Sequence, residues 1–320
     1  MSRAGVLLVG FGAPGSLDAV GPFMRSLTGR DMPDAALASV KARYEAIGGA
    51  SPLGRIAAEL AEAVSAALRG SGCPLLVEVG MRYSEPLIEG AVGRLLAAGV
   101  EQIVIVALSP HVARVTHGEY RSAVQAAVGD SAVVIEARPL SELAAYARLH
   151  THAAAAALES ASSTPGVVFA AHSLPLADVA EDDSYVRGVE ASASEVARAL
   201  GLGAGATSEV LPGLTAFGAP GGASTPPWLV AYQSEGIRGG EWLRPTLGDV
   251  IDAVAAAGHD GVVVVPIGFA TDHMETLYDL DIVARERALD AGIAYVRSAV
   301  PNAAQELARA IADDVCSLVG

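Results

Sequence analysis

The 320-residue chain is predicted to be an α/β protein of two similar halves, each a four-stranded parallel sheet flanked by helices. Three observations predict this. Apolar runs rich in Val, Ile and Leu are continuous rather than alternating, which marks strands covered on both faces and hence parallel sheets. They alternate with helix-like segments from end to end, the βαβα rhythm of doubly wound folds. The chain also echoes itself: VLLVGFG (6–12) with VVFAAHS (167–173), MRYSEP (81–86) with YQSEG (232–236), and IVIVALSPH (103–111) with VVVVPIGFA (262–270), each pair about 150–160 residues apart. At roughly 100–200 residues per domain, two domains suit this length.

The first strand is VLLVGFG (6–12). Its glycines and Pro14 interrupt the apolar run, so the N-terminus reads as a strand rather than a signal peptide. A helix over Ile56–Leu68 leads to LLVEVGM (75–81), and a helix over Leu87–Ala98 leads to IVIVALS (103–109) and AVVIEAR (132–138). A boundary is placed here, with residues 1–138 forming the N-terminal half and 139–300 the C-terminal half. The second half runs through a helix over Ser141–Leu158, then VVFAAHS (167–173), LVAYQS (229–234), VVVVPIGF (262–269) and AYVRSAV (294–300). Residues 203–227, dense in Gly and Pro, read as a loop insertion. Residues 301–320 hold a last helix, Asn302–Leu318, expected to pack back on the first half.

Composition removes several function classes. Apolar residues make up 52% and charged residues 18%, enough to build a core and too apolar for disorder. No apolar stretch approaches the ~18–20 residues of a membrane span. Net charge is −15, which opposes nucleic acid and anionic lipid alike. Two distant cysteines, Cys73 and Cys316, give no CxxC pair and too few ligands for a zinc site or iron–sulfur cluster. A cytoplasmic home fits this usage best.

In open α/β sheets, ligands bind at the carboxyl ends of strands, so the residues that follow each strand carry the functional signal. Gly10-x-Gly12-x-x-Gly15 matches a dinucleotide fingerprint, but Pro14 intervenes and the next strand starts near Pro74, far beyond the ~20 residues the fingerprint needs. A tight turn that lets backbone approach a neighbour explains it better. The repeat of FGAPG at 217–221 lacks a preceding strand. His172 ends a buried strand; it is either a satisfied core histidine or a neutral imidazole that can take a proton or a divalent metal. Asp272 and Glu275 can form a capping box, yet Glu275 and Asp279 are i,i+4 on one helical face, where two carboxylates repel unless a cation or proton lies between them. Oxygen ligands with an imidazole suit Fe²⁺ among other divalent ions. His111 follows the third strand and ranks behind His172. His150 and His152 are expected to face solvent, and Tyr120 and Arg114 could contact an anionic ligand.

Taken together, VGFGAP (9–14), RYEAIGGASPL (43–53), AHSLP (171–175), YQSEG with WLRP (232–245) and GFATDHMETLYDLD (268–281) resemble the ferrochelatase family, in family order and over nearly the whole chain. The resemblance implies two Rossmann-like, chelatase-type halves with a porphyrin cleft between them. It implies insertion of Fe²⁺ into a porphyrin in haem biosynthesis, coproporphyrin III being favoured over protoporphyrin IX. His172 and Glu275 become the catalytic pair, with His172, Glu275 and Asp279 on the metal path. Phe11, Arg43, Ser51 and Tyr120 match porphyrin-binding positions. Phe11 replaces a tyrosine that ligates product iron in one branch, so that role should be absent. Each has a plainer alternative: Arg43 pairing with an acid on its own helix, Ser51 capping a helix, Tyr120 packing. The acidic row of some relatives ends here at Val283, Tyr83 stands where some have histidine, and the cysteines of a [2Fe–2S] cluster are missing. Fe²⁺ is thus expected as a substrate, with no permanent cofactor and no iron–sulfur cluster. The expected partners are the porphyrin, Fe²⁺ and a haem-accepting protein, with no nucleic acid, no stable membrane anchor and a monomeric chain. The alternatives are a non-catalytic tetrapyrrole carrier and a cobalt or nickel chelatase; a nicotinamide oxidoreductase is more distant.

Overall fold

In the structure, a computed structural model, residues 3–179, 184–203, 205–206, 227–236 and 239–319 are described. The FGAPG repeat at 217–221 lies outside them. The chain divides into two units. Unit 1 comprises Met1–Ala145, Ala270–Met274 and Pro301–Gly320; unit 2 comprises Tyr146–Phe269 and Glu275–Val300. The division falls after Ala145 rather than after Arg138. Arg138 is tied into unit 1 by Asp314, and Leu140, Leu143 and Ala145 are buried.

Unit 1 contains β1 (Ala4–Gly10), α1 (Leu17–Thr28), α2 (Asp34–Ala46), α3 (Leu53–Gly70), β2 (Leu76–Met81), α4 (Ile88–Ala97), β3 (Gln102–Ala107), α5 (Glu119–Val128) and β4 (Val133–Glu136). Its strands pair in parallel in the order β2-β1-β3-β4. Every residue of β1 is buried, as its unbroken apolar run requires. Leu7, Val9, Ile103 and Ile105 face Ile88, Val92 and Leu95 of α4 and Tyr120, Val124 and Val128 of α5. The i,i+3 and i,i+4 spacing within these helical sets supplies the apolar stripe. The Gly10–Gly15 segment is a tight turn: Gly12 has φ 95°, a Cβ there would lie 2.6 Å from Ser84 Oγ, and the Ala13 amide donates to that oxygen at 3.1 Å.

Unit 2 contains α6 (Ala144–Glu159), whose first two residues belong to unit 1, then β5 (Pro165–His172), α7 (Ser184–Ala199), β6 (Gly205–Ala206), β7 (Trp228–Gln233), α8 (Leu247–Ala256), β8 (Gly261–Val265), a π-helical segment Glu275–Ala284, α9 (Arg285–Asp290) and β9 (Ala294–Arg297). Its parallel sheet runs β6-β7-β5-β8-β9. The expected four strands are joined by two-residue β6 from the segment read as a loop insertion; residues 204 and 207–226 of that segment lie outside the described residues. On one face, Val168, Ala170, Leu229, Ala231, Val262 and Val264 pack against Val250, Ile251 and Val254 of α8 and against Leu280, Ala284 and Ala288. The last helix, α10 (Gln305–Val319), packs on α3 within unit 1. Among the described residues no helix is long and apolar enough to cross a membrane.

Candidate functional site

Side chains alternate along a strand, so His172 shares the face of Val168 and Ala170. Those two residues lie in the core; His172 is next in the row, at the carboxyl end of β5, and is half-buried. The segment that covers this face is the one that begins at Glu275. Its i→i+5 bonding sets Glu275 one wide turn before the buried Leu280. Packing of Leu280 against the sheet therefore delivers Glu275 to the strand end that carries His172. His172 Nε2 lies 3.2 Å from Glu275 Oε1.

Several contacts fix this geometry. The Tyr185 hydroxyl donates to the His172 carbonyl at 2.7 Å, and the His172 Nδ1 is bonded to the Ser173 carbonyl. Nδ1 thus carries a proton in either charge state of the ring, and Nε2 faces the carboxylate. The Gln233 side-chain amide donates to the Glu275 carbonyl at 3.0 Å and to Ser234 Oγ at 3.2 Å, while Ser234 Oγ donates to Asp279. Ser234 holds a left-handed φ of 60° to do so. Arg297 clamps Asp281 through two bonds, Nε at 2.5 Å and Nη2 at 2.9 Å, which anchors the same segment to β9.

The three motifs of unit 2 fold onto one another. The Ser173 amide donates to the Gln233 carbonyl at 2.7 Å, and Ser173 Oγ donates to the Leu243 carbonyl at 3.1 Å. The Leu243 amide returns a bond to the Leu174 carbonyl at 2.9 Å, so AHSLP, YQSEG and WLRP form one base under the histidine. Gly268 is equally necessary. A Cβ there would meet Ala171 Cα at 2.6 Å, and the Gly268 amide donates to the Ala170 carbonyl at 3.0 Å. Only a glycine lets the chain after β8 cross so close to β5.

Burial alone lowers the His172 pKa. The Glu275 charge, its hydrogen bond, the Ser173 carbonyl and the Asp279 charge outweigh burial and raise His172 to about 9. At neutral pH the pair is therefore imidazolium and carboxylate, a proton held between two bases.

Some expectations are corrected. The Asp272 amide donates to Asn302 Oδ1 at 2.7 Å and its carboxylate accepts from Asn302 Nδ2 at 2.9 Å, both within unit 1. The segment Glu275–Ala284 is π-helical rather than α-helical. Asp279 is bonded to Ser234, and its charge acts on His172 together with that of Glu275. His150 does not face solvent. It lies on the stripe Tyr146–His150–Ala154–Ala157 of α6, is fully buried edge-on to Tyr146 with centroids 4.5 Å apart, and burial lowers it to about 3. His152 is exposed, as expected.

The remaining candidates belong to unit 1. Phe11 is 37% exposed and leans on Tyr83 and Phe23, with centroids 4.7 and 6.4 Å away. Arg43 is exposed in the last turn of α2. Ser51 is buried; its Oγ accepts from the Leu53 amide at 3.3 Å, the capping alternative. Tyr120 is packed in the core with its hydroxyl 3.1 Å from Ser109 Oγ. His111 is buried. In unit 2, Val283 is exposed on the π-helical segment. Missed from the sequence were Tyr185, Gln233 and Ser234 as supports of the pair; the conjunction of YQSEG with AHSLP was the only available signal.

The model of the ferrochelatase family matches residues 3–318. A ferrochelatase of Herpetosiphon aurantiacus is 29% identical, with 94% of each chain covered. Coproporphyrin III ferrochelatases of Mycolicibacterium vanbaalenii and Mycolicibacterium smegmatis are 31% and 32% identical, covering 98% of this chain and 89% of theirs. Among solved structures, SirB from Bacillus subtilis with Fe³⁺ aligns with a TM-score of 0.55 at 13% identity, covering 99% of this chain and 95% of that one. CbiX, described as the terminal enzyme of sirohaem biosynthesis in denitrifying bacteria, aligns at 0.54 and 14% identity, covering 99% and 100%. These two share the fold.

Proposed function

Because the chain belongs to the ferrochelatase family, we propose that it inserts Fe²⁺ into coproporphyrin III, with His172 and Glu275 side by side at the reacting centre. At the coarser level it is an enzyme that inserts a metal into a porphyrin. The observation that carries the assignment of residues is the His172–Glu275 pair, 3.2 Å apart at the carboxyl end of β5. The macrocycle preference is supported by the coproporphyrin III ferrochelatases that match 98% of the chain.

The chemistry exchanges two pyrrole N–H bonds for nitrogen–metal bonds and releases two protons, so a base is needed close to the ring nitrogens. His172 is that base once it has given up the proton it holds when the site is empty. Arrival of the substrate dication beside Glu275 supplies the drive, since its charge displaces the imidazolium as partner of the carboxylate. Neutral His172 then accepts one pyrrole proton through Nε2 and loses it to solvent, the second pyrrole proton leaves by the same route, and the Glu275 carboxylate draws the cation towards the ring. Asp279, held by Ser234, adds negative charge that favours both the imidazolium and an approaching cation. A ring bound bent exposes a nitrogen lone pair, which moves it towards the transition state.

The test is anaerobic metallation of coproporphyrin III and protoporphyrin IX, followed by the Soret band. The proposal expects metallation of both, with the larger kcat/KM for coproporphyrin III. Equal or reversed preference overturns the macrocycle assignment, and tight binding of both without metallation overturns the reading in favour of a carrier.

A further inference from the structure

Within unit 1, the residues that follow β2 are laced to those at the end of β1. The Arg82 amide donates to the Gly10 carbonyl at 2.8 Å, and the Tyr83 amide donates to the Phe11 carbonyl at 3.0 Å. Arg82 and Phe11 therefore stand at neighbouring strand ends, on the carboxyl edge where open α/β sheets bind ligands. The Arg82 guanidinium lies over the Tyr83 ring, 5.1 Å from its centroid. Tyr83 leans in turn on Phe11, and Phe11 on Phe23, so the cation is set into an aromatic cluster. Arg82 is half-buried, and its Nε is buried without a hydrogen-bond partner. Among the described residues no carboxylate pairs with the guanidinium. Glu85, three positions on, accepts from the Leu87 amide at 3.2 Å, and Glu78 of β2 is held by Arg94 at 2.8 Å.

A ring face attracts a guanidinium but offers no acceptor to its N–H groups, so the buried Nε–H is desolvated without compensation. An anion that arrives with the ligand supplies what is missing. Nε–H and an Nη–H form a planar fork that a carboxylate accepts through both oxygens. We propose that Arg82 is a specificity-determining residue that grips a carboxylate of the macrocycle at a position where protoporphyrin IX carries a vinyl group; this rests on the reading of the chain as a coproporphyrin III ferrochelatase. Coproporphyrin III bears propionates where protoporphyrin IX bears vinyls, so charge, not ring shape, separates them here. The aromatic side chains Phe11, Tyr83 and Phe23 alone would accept a vinyl group. The guanidinium among them does not, because a vinyl leaves the Nε–H unpaired, and a polar group left without its partner is what makes a site reject an analogue.

The test is equilibrium binding of each metal-free porphyrin to the full chain, followed by porphyrin fluorescence. It compares the wild type with Arg82→Met, which keeps an unbranched stem without charge, and with Arg82→Lys, which keeps the charge without the planar fork. Arg82→Met should weaken coproporphyrin III by at least ~10-fold and leave protoporphyrin IX within ~2-fold. Arg82→Lys should show a smaller loss, ~3-fold or more, again for coproporphyrin III alone. Retained protoporphyrin IX binding shows that a variant folds; should Arg82→Met unfold, Arg82→Lys carries the test. Equal losses for the two porphyrins in folded protein, or an unchanged affinity for coproporphyrin III, would overturn the proposal. Wild-type metallation tests the functional reading separately, because the ratio of variant to wild-type affinity needs no metal and holds whichever porphyrin the wild type prefers. A wild type that binds neither porphyrin overturns both.

Discussion

Changing Glu275 to Gln keeps the shape of the side chain and deletes its charge. In the wild type, burial lowers His172, and Glu275 with its neighbours more than reverses this, from the ordinary 6.5 to about 9. At 1.36 kcal/mol per unit that shift amounts to ~3 kcal/mol before screening, and to ~1–2 kcal/mol once the partial exposure of both side chains is discounted. The sign follows from linkage: a raised folded pKa stabilises fully below about 6.5, and the stabilisation is lost as pH rises through about 9. Urea unfolding of the wild type should therefore weaken by ~1–2 kcal/mol between neutral pH and pH ~10, a loss that Glu275→Gln should largely abolish. Histidine NMR titration checks the cause, since in Glu275→Gln burial remains without the opposing carboxylate, and His172 should titrate below its wild-type value by at least ~2 units. A wild-type His172 that titrates at or below 6.5, or one that Glu275→Gln leaves unmoved, would refute the reasoning.

Three further outcomes are expected. Gly268→Ala places a Cβ 2.6 Å from Ala171 Cα; chemical denaturation should show a loss of ~1–3 kcal/mol, and metallation should fall because the chain leading to Glu275 is displaced. Ser234→Ala removes the hydroxyl between Gln233 and Asp279; stability should drop by ~1 kcal/mol, and a larger drop in kcat than in stability would be seen as slower turnover of folded protein. Arg138→Ala removes the guanidinium from the buried Asp314 carboxylate but leaves the backbone amide bond; it should cost ~1–2 kcal/mol, read by urea unfolding, with faster hydrogen exchange in α10.

The strands were legible because β-branched runs on doubly covered sheets are continuous, and β1, β5 and β8 are buried throughout their cores. His172 was legible because a polar residue at the carboxyl end of such a run has few other uses. The partner was less so. Sequence spacing suggested an α-helical face for Glu275 and Asp279, but a π turn and an α turn share the same apolar pattern, and the choice is made by packing of Leu280 and by the Arg297–Asp281 clamp. The bonds between Asp272 and Asn302, thirty residues away, leave no local signal in the sequence. His150 was misread for a related reason: polarity suggested solvent, while its position four residues after Tyr146 put it on the buried stripe. Gln233 and Ser234 carry no chemical signature of their own and acquire their role only when β7 pairs beside β5.

The central claim is that His172 and Glu275 act together on the porphyrin. Single-turnover metallation of coproporphyrin III with Fe²⁺, in the absence of oxygen, tests it in the wild type, His172→Ala, Glu275→Gln and the double variant. The account predicts at least an ~100-fold slower rate for His172→Ala with porphyrin still bound, and a double variant little slower than the worse single one. Wild-type rates in His172→Ala, or losses that simply multiply in the double variant, would contradict it.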